Sequence, residues 1–221
     1  MRKSNFLLGV SLFALTVTQS AGAVVEIWKV VPINDTRLYA GPYAQRFANY
    51  DWAYGHDKGE CGSWTASHYN TMVGVSLVKN ESCGLFGCWW LTHNPSILCS
   101  TSRLQVNQGG GVRVLADNLA LSRRDTSLGD WAYGYDKMEC GAREVMTGLA
   151  YRTAMCSPAI NITGAKNCNV RWFWNGDNRG TTTRGDWSYG NGKGECALGE
   201  YIKGVVYGAS ATALLCCSPQ Y

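Results

Sequence analysis

The chain has 221 residues, a formal net charge of +4, ten cysteines and an aromatic complement dominated by nine Trp and twelve Tyr. So small a charge excludes nucleic acid or a strongly anionic surface as the partner that its electrostatics would select. Beyond the first residues, no stretch is long and apolar enough to be read as a membrane-spanning helix.

In chain order, Arg2 and Lys3, an apolar run over 6–17 and the small residues Ala21, Gly22 and Ala23 read as a secretion signal occupying 1–23. The expected location is therefore extracellular or periplasmic, with 24–221 forming a single domain. All ten cysteines lie after this segment, and an even number in an exported chain reads as a disulfide framework.

Three units follow, over 24–102, 103–160 and 161–221. Each is built around Asp-Trp-(Ala/Ser)-Tyr-Gly-x-x-Lys-x-Glu-Cys, at 51–61, 130–140 and 186–196, with seven positions identical in all three. Such identity marks an internal triplication, and a function built on it is expected to be repeated. Upstream of each core stands an Arg with apolar neighbours (Arg37, Arg113, Arg171), and downstream an apolar-x-Gly-apolar step at Gly74, Gly148 and Gly204. Each unit closes on Cys-Ser, at Cys99, Cys156 and Cys217, and the first carries a long insertion over 76–98.

Short alternating apolar runs, as in 144–151, are broken by Gly, Asn, Asp and Ser every few residues, the signature of strands and hairpins. The run 209–215 has some helical propensity but is short and follows a glycine. The expected fold is mainly β, disulfide-stapled, with three internal repeats in pseudo-threefold symmetry, β-prism-like or trefoil-like. The repeat register suggests the pairs Cys61–Cys99, Cys140–Cys156 and Cys196–Cys217, with Cys83–Cys88 and Cys168–Cys216 completing the set. A glycine at 74, 148 and 204 is expected to permit close packing or a bulge.

Within the core, an extended backbone would put Trp and Tyr on one face and Asp on the other. The aromatics then either fill the interior or line a sugar site, in which rings stack on pyranose faces and polar groups bond the hydroxyls. The second reading assigns ligand contacts to Trp52, Tyr54 and Asp57, to Trp131, Tyr133 and Asp136, and to Trp187, Tyr189 and Asn191. The residues after the glycine, His56-Asp57, Tyr135-Asp136 and Asn191-Gly192, suit a specificity loop. The repeated Lys and Glu (Lys58/Glu60, Lys137/Glu139, Lys193/Glu195) read as surface ion pairs two residues apart, and the upstream Arg as a partner for the Asp or Glu of a core.

Two other functions fit the sequence. The stretch 81–90 would display Leu85, Phe86, Trp89 and Trp90 on a loop closed by Cys83 and Cys88, a contact for a protein or membrane in an interaction or toxin-accessory role. A hydrolase would be centred on the first unit, where His56, His68 and His93 all fall. No nucleophile elbow, zinc-protease motif or phosphate loop is present in the sequence, and the expectation is a non-enzyme without cofactor or metal. The sequons at Asn34, Asn80 and Asn161 bear on surface glycosylation only in a source that performs it.

The units Gly129-Asp130-Trp131…Cys140…Gly148…Cys156 and Gly185-Asp186-Trp187…Cys196…Gly204…Cys217 resemble those of the vitelline membrane outer layer protein 1 family. The resemblance implies a threefold β-prism and carbohydrate binding on extracellular matrices. The Lys-x-Glu-Cys units also resemble repeat modules of secreted bacterial proteins, which implies adhesion. The expected partners are glycans or glycoconjugates, with a protein or membrane surface as the rival.

Overall fold

Each repeat supplies four strands to the four-stranded sheets, and none of those sheets is made from one repeat alone. The computed structural model describes residues 28–33, 58–61, 71–77, 83–84, 87–88, 96–101, 104–107, 113–116, 129–150, 153–173, 184–188, 191–207 and 212–221. The fold is mainly β, and no helix occurs among these residues. The first unit contributes β1 (Trp28–Pro32), β2 (Lys58–Glu60), β3 (Thr71–Leu77), β4 (Cys83–Gly84), β5 (Gly87–Cys88) and β6 (Ser96–Ser100). The second contributes β7 (Arg113–Ala116), β8 (Met138–Glu139), β9 (Glu144–Ala150) and β10 (Thr153–Pro158). The third contributes β11 (Gly164–Phe173), β12 (Gly192–Glu195), β13 (Tyr201–Tyr207) and β14 (Thr212–Gln220). The run over 209–215, helical by propensity in part, thus leads into a strand, where its β-branched and leucine residues are buried.

Three four-stranded antiparallel sheets result, in the orders β1-β6-β3-β12, β7-β10-β9-β2 and β11-β14-β13-β8. In each, a leading strand, a closing strand and the glycine-bearing strand come from one unit. The fourth, which carries the motif's Glu, comes from the unit before it: β2 pairs with β9, β8 with β13, and β12 returns to β3. The exchange is extended at the core cysteines, where the amides of Cys61, Cys140 and Cys196 donate to the carbonyls of Thr147, Lys203 and Val73 at 2.7, 2.9 and 2.8 Å. Those acceptors are the residues bulged out of register immediately before Gly148, Gly204 and Gly74. The small hairpin β4-β5 sets Cys83 opposite Cys88; the side chains of this hairpin, and Trp89-Trp90, lie outside the described residues.

The strands β3, β9 and β13 contact one another, and between the sheets lies one shared core. Met72, Val75, Ile97, Met146, Leu149, Phe173, Ile202, Val205 and Leu214 are buried in it together with the disulfides Cys61–Cys99, Cys140–Cys156 and Cys196–Cys216. The fourth described bridge, Cys168–Cys217, lies with the outer cluster that includes Leu215 and Tyr201. The pairs Cys196–Cys217 and Cys168–Cys216 expected from the sequence are therefore exchanged. The cause is strand alternation: neighbours on β14 face opposite sides, so Cys216 points into the core toward Cys196 while Cys217 points out toward Cys168. Cys216, not Cys217, is the counterpart of Cys99 and Cys156, and a slip of one residue reverses every face.

The same alignment corrects the upstream arginines. Opposite the closing cysteines Cys99, Cys156 and Cys216 stand Lys29, Arg113 and Asn169, whereas Arg171 faces Leu214. Arg113 and Arg171 thus occupy different register positions, and Arg37 lies outside the described residues. Arg171 reaches Glu200 at 2.9 Å, beyond the core motif, rather than the Asp or Glu within it.

Candidate functional site

In the second and third copies the repeated Asp, Trp, Lys and Glu of the motif are bonded to one another and to the turn backbone. Residues 131–134 form a turn rather than an extended segment, so the arrangement expected there, Trp and Tyr on one face of a strand and Asp on the other, is not formed. In the second copy the Trp131 amide donates to Gly129 O at 2.9 Å and the Tyr135 amide to Ala132 O at 3.1 Å. The third copy repeats both bonds, Trp187 to Gly185 at 3.0 Å and Asn191 to Ser188 at 3.1 Å. Gly134 has φ +82° with nothing near the position of a Cβ, so glycine is used there for its backbone freedom rather than for space.

The charged residues pin this turn to the sheet. Lys137 Nζ donates to Asp130 Oδ1 and to Ala132 O, the latter at 3.2 Å. Lys193 does the same with Asp186 and Ser188 O, again 3.2 Å for the carbonyl. The indole N–H of Trp131 donates to Glu139 at 3.0 Å, and that of Trp187 to Glu195 at 3.0 Å. Glu195 also accepts from Arg184 at 2.7 Å, whose guanidinium further bonds Cys196 O at 2.8 Å. Lys58, Lys137 and Lys193 are buried. The expected surface Lys–Glu pair is therefore replaced, in the second and third copies, by Lys–Asp and Trp–Glu. On a strand, residues two apart share a face, but each here turns to a partner in the preceding turn.

In the second and third copies the Trp then rests on a glycine of another unit. A Cβ on Gly204 would stand 2.8 Å from Trp131 Cζ2, and one on Gly74 would stand 2.9 Å from Trp187 Cζ2. Close packing and a bulge coincide at these glycines, as the sequence suggested. The motif thus lays the turn of one unit across the outer face of the next unit's sheet: Trp187 packs with Val73, Leu98 and Val30, and Trp131 with Val170 and Leu215.

What is left on the surface differs between copies. Tyr133 is 87 % exposed. Beside it Tyr135 makes an edge-on contact with Trp172 of β11, ring centroids 5.2 Å apart and planes at 61°, and both rings are more than a third exposed. Asp136 is half-buried. In the third copy, Trp187 and Asn191 are buried, which places two of the expected ligand contacts inside the fold. Asn191 Nδ2 donates to Ser188 Oγ at 3.0 Å, and Ser188 Oγ to Ser76 Oγ at 2.9 Å. Trp52, Tyr54, Asp57 and Tyr189 lie outside the described residues. Trp172 was legible in the sequence only as an apolar neighbour of Arg171, because its approach to Tyr135 depends on the exchange between units.

Metal chemistry has one geometric candidate among the described residues, Cys196, Glu200 and Cys216. Its two sulfurs are joined in a disulfide, so they are not thiolates, and the Glu200 carboxylate accepts from Ala197 N and Arg171. Comparison with family models, with characterised proteins and with solved structures finds no match to this chain.

Proposed function

We propose that this is a secreted glycan-binding protein, a pseudo-threefold β-prism in which the motif turns present tyrosine to saccharides without catalysis. The observation that carries the reading is Tyr133, 87 % exposed on a turn whose Asp, Trp, Lys and Glu are already engaged. The turn's own bonds do not require that ring at the surface. A phenol offers an apolar face and a hydroxyl together, the combination a pyranose needs. The three sheets with their exchanged fourth strands support the prism over the trefoil. The repeat's resemblance to the vitelline membrane outer layer family points the same way in fold and in ligand class. Four disulfides among the described residues suit an oxidising compartment.

The test is a glycan array probed with the oxidised protein from residue 24 and with a Tyr54→Ala/Tyr133→Ala/Tyr189→Ala variant. Binding by the first, lost in a variant of unchanged circular dichroism, is the expected result. A blank array from folded protein rejects the reading.

A further inference from the structure

The turns of the second and third units are equivalent in their bonds but not in what they meet. The turn of the second unit crosses the third sheet over Val170, Val206 and Ala213 and ends with Tyr135 against Trp172. Trp172 faces Ala213, three residues before Cys216. The residues at that same register position on the other leading strands are Pro32, facing Ser96, and Ala116, facing Thr153. At the position of Tyr135 the other turns carry His56 and Asn191. An aromatic on the turn and an aromatic on the underlying sheet therefore coincide at the second unit's crossing, and the residue types at the matching positions of the other two units do not repeat that pair. At the crossing of the third turn over the first sheet the same place is polar and closed, with Asn191, Ser188 and Ser76 linked in a buried chain that continues to the Ser96 amide at 2.9 Å. The second crossing leaves apolar rings half in water instead.

From this we infer that the second crossing, Tyr133, Tyr135 and Trp172, is the principal saccharide site, and that it takes one terminal pyranose of a soluble oligosaccharide. The inference rests on the glycan-binding reading and narrows it. Ring planes at 61° with centroids 5.2 Å apart form a corner. One pyranose can lay its C–H face on one ring and its edge on the other, while the phenol hydroxyls of Tyr133 and Tyr135 serve its hydroxyl groups. A flat polysaccharide ribbon needs coplanar rings and cannot lie on both.

Free lactose, cellobiose and chitobiose are titrated calorimetrically into the wild type and into Tyr133→Ala, Trp172→Ala and Trp172→Phe, and retention on cellulose and chitin powders is measured in parallel. The expected result is one site per chain for at least one disaccharide, weakened about tenfold or more by Trp172→Ala as ring area is lost and largely restored in Trp172→Phe. A shift of the Trp172 indole N–H in heteronuclear spectra accompanies binding, and the powders do not retain the protein. Three sites unaffected by Trp172→Ala, or retention on powders alone, overturns the corner while leaving the glycan reading standing. Folded protein that binds neither the sugars nor the powders overturns both. Tyr133→Ala, at an 87 % exposed residue, keeps the test decisive should Trp172→Ala fold poorly: it is expected to weaken binding as well, and unchanged affinity overturns the site.

Discussion

Replacing Glu195 by Gln tests whether the motif is a support for the turn. Its carboxylate accepts from Arg184 at 2.7 Å and from Trp187 at 3.0 Å, and the side chains of Arg184 and Glu195 are 1 % and 5 % exposed. An amide offers one acceptor oxygen for two donors and no charge to balance the guanidinium. Removing one member of a buried ion pair typically costs about 3–5 kcal/mol, because the remaining charge stays desolvated. For a domain of this size that corresponds to a melting temperature lower by roughly 6–20 °C, read in oxidised protein by circular dichroism. Adding Arg184→Met removes the stranded charge, so the double variant is expected to be more stable than Glu195→Gln alone. The same neutral replacement at Asp186 leaves Lys193, whose side chain is fully buried, without its counter-charge, and is expected to cost a comparable amount. A loss below about 1 kcal/mol for Glu195→Gln, or no recovery in the double variant, would refute the reasoning.

Gly204→Ala puts a methyl 2.8 Å from Trp131 Cζ2 and 3.0 Å from Met138 O; overpacking of this kind costs about 1–3 kcal/mol in denaturant melts, whereas Gly164→Ala, with its nearest atom at 3.8 Å, is expected to cost far less. Burial pushes the Tyr201 phenol from 10.0 up to about 12. Between those values the unfolded chain has lost the proton that the folded one keeps, so stability is full below pH 10 and falls as pH rises toward 12, by about 2–3 kcal/mol in all. The Tyr201 hydroxyl makes no hydrogen bond among the described residues, so Tyr201→Phe is expected to flatten that fall at no cost near neutral pH. Cys217→Ser is expected to yield one free thiol, at Cys168 by peptide mapping, with Cys196–Cys216 intact; a free thiol at Cys196 would contradict the pairing. The lost bridge spans 49 residues, and its closure entropy corresponds to about 4 kcal/mol.

Much of the fold was legible in the sequence, and what was not had a common cause. The repeated core marked three units, the alternating runs marked strands, and Gly74 and Gly204 stand where close packing and a bulge coincide. The motif's internal bonds were not legible, because Lys137 and Glu139 read locally as a pair whereas the turn that brings Asp130 and Trp131 back over them is a tertiary feature. Which unit receives the strand carrying each motif's Glu was equally hidden: three near-identical strands fit their own unit or a neighbour by pattern alone. Cys216 and Cys217 show how narrow the margin is, since adjacent residues of one type differ only in the face they take. The candidate site followed the same rule. Tyr133 was visible as a repeated tyrosine, while Trp172 gained its role only through the exchange that sets it beside Tyr135.

Saturation-transfer NMR on the folded, oxidised protein with a mixture of free lactose, cellobiose, chitobiose and mannobiose addresses glycan binding most directly. Transfer from the protein's aromatic protons to the ring protons of a terminal pyranose, abolished in a folded Tyr133→Ala/Trp172→Ala variant, is the predicted outcome. No transfer to any of the four sugars from protein with its disulfides intact would contradict it.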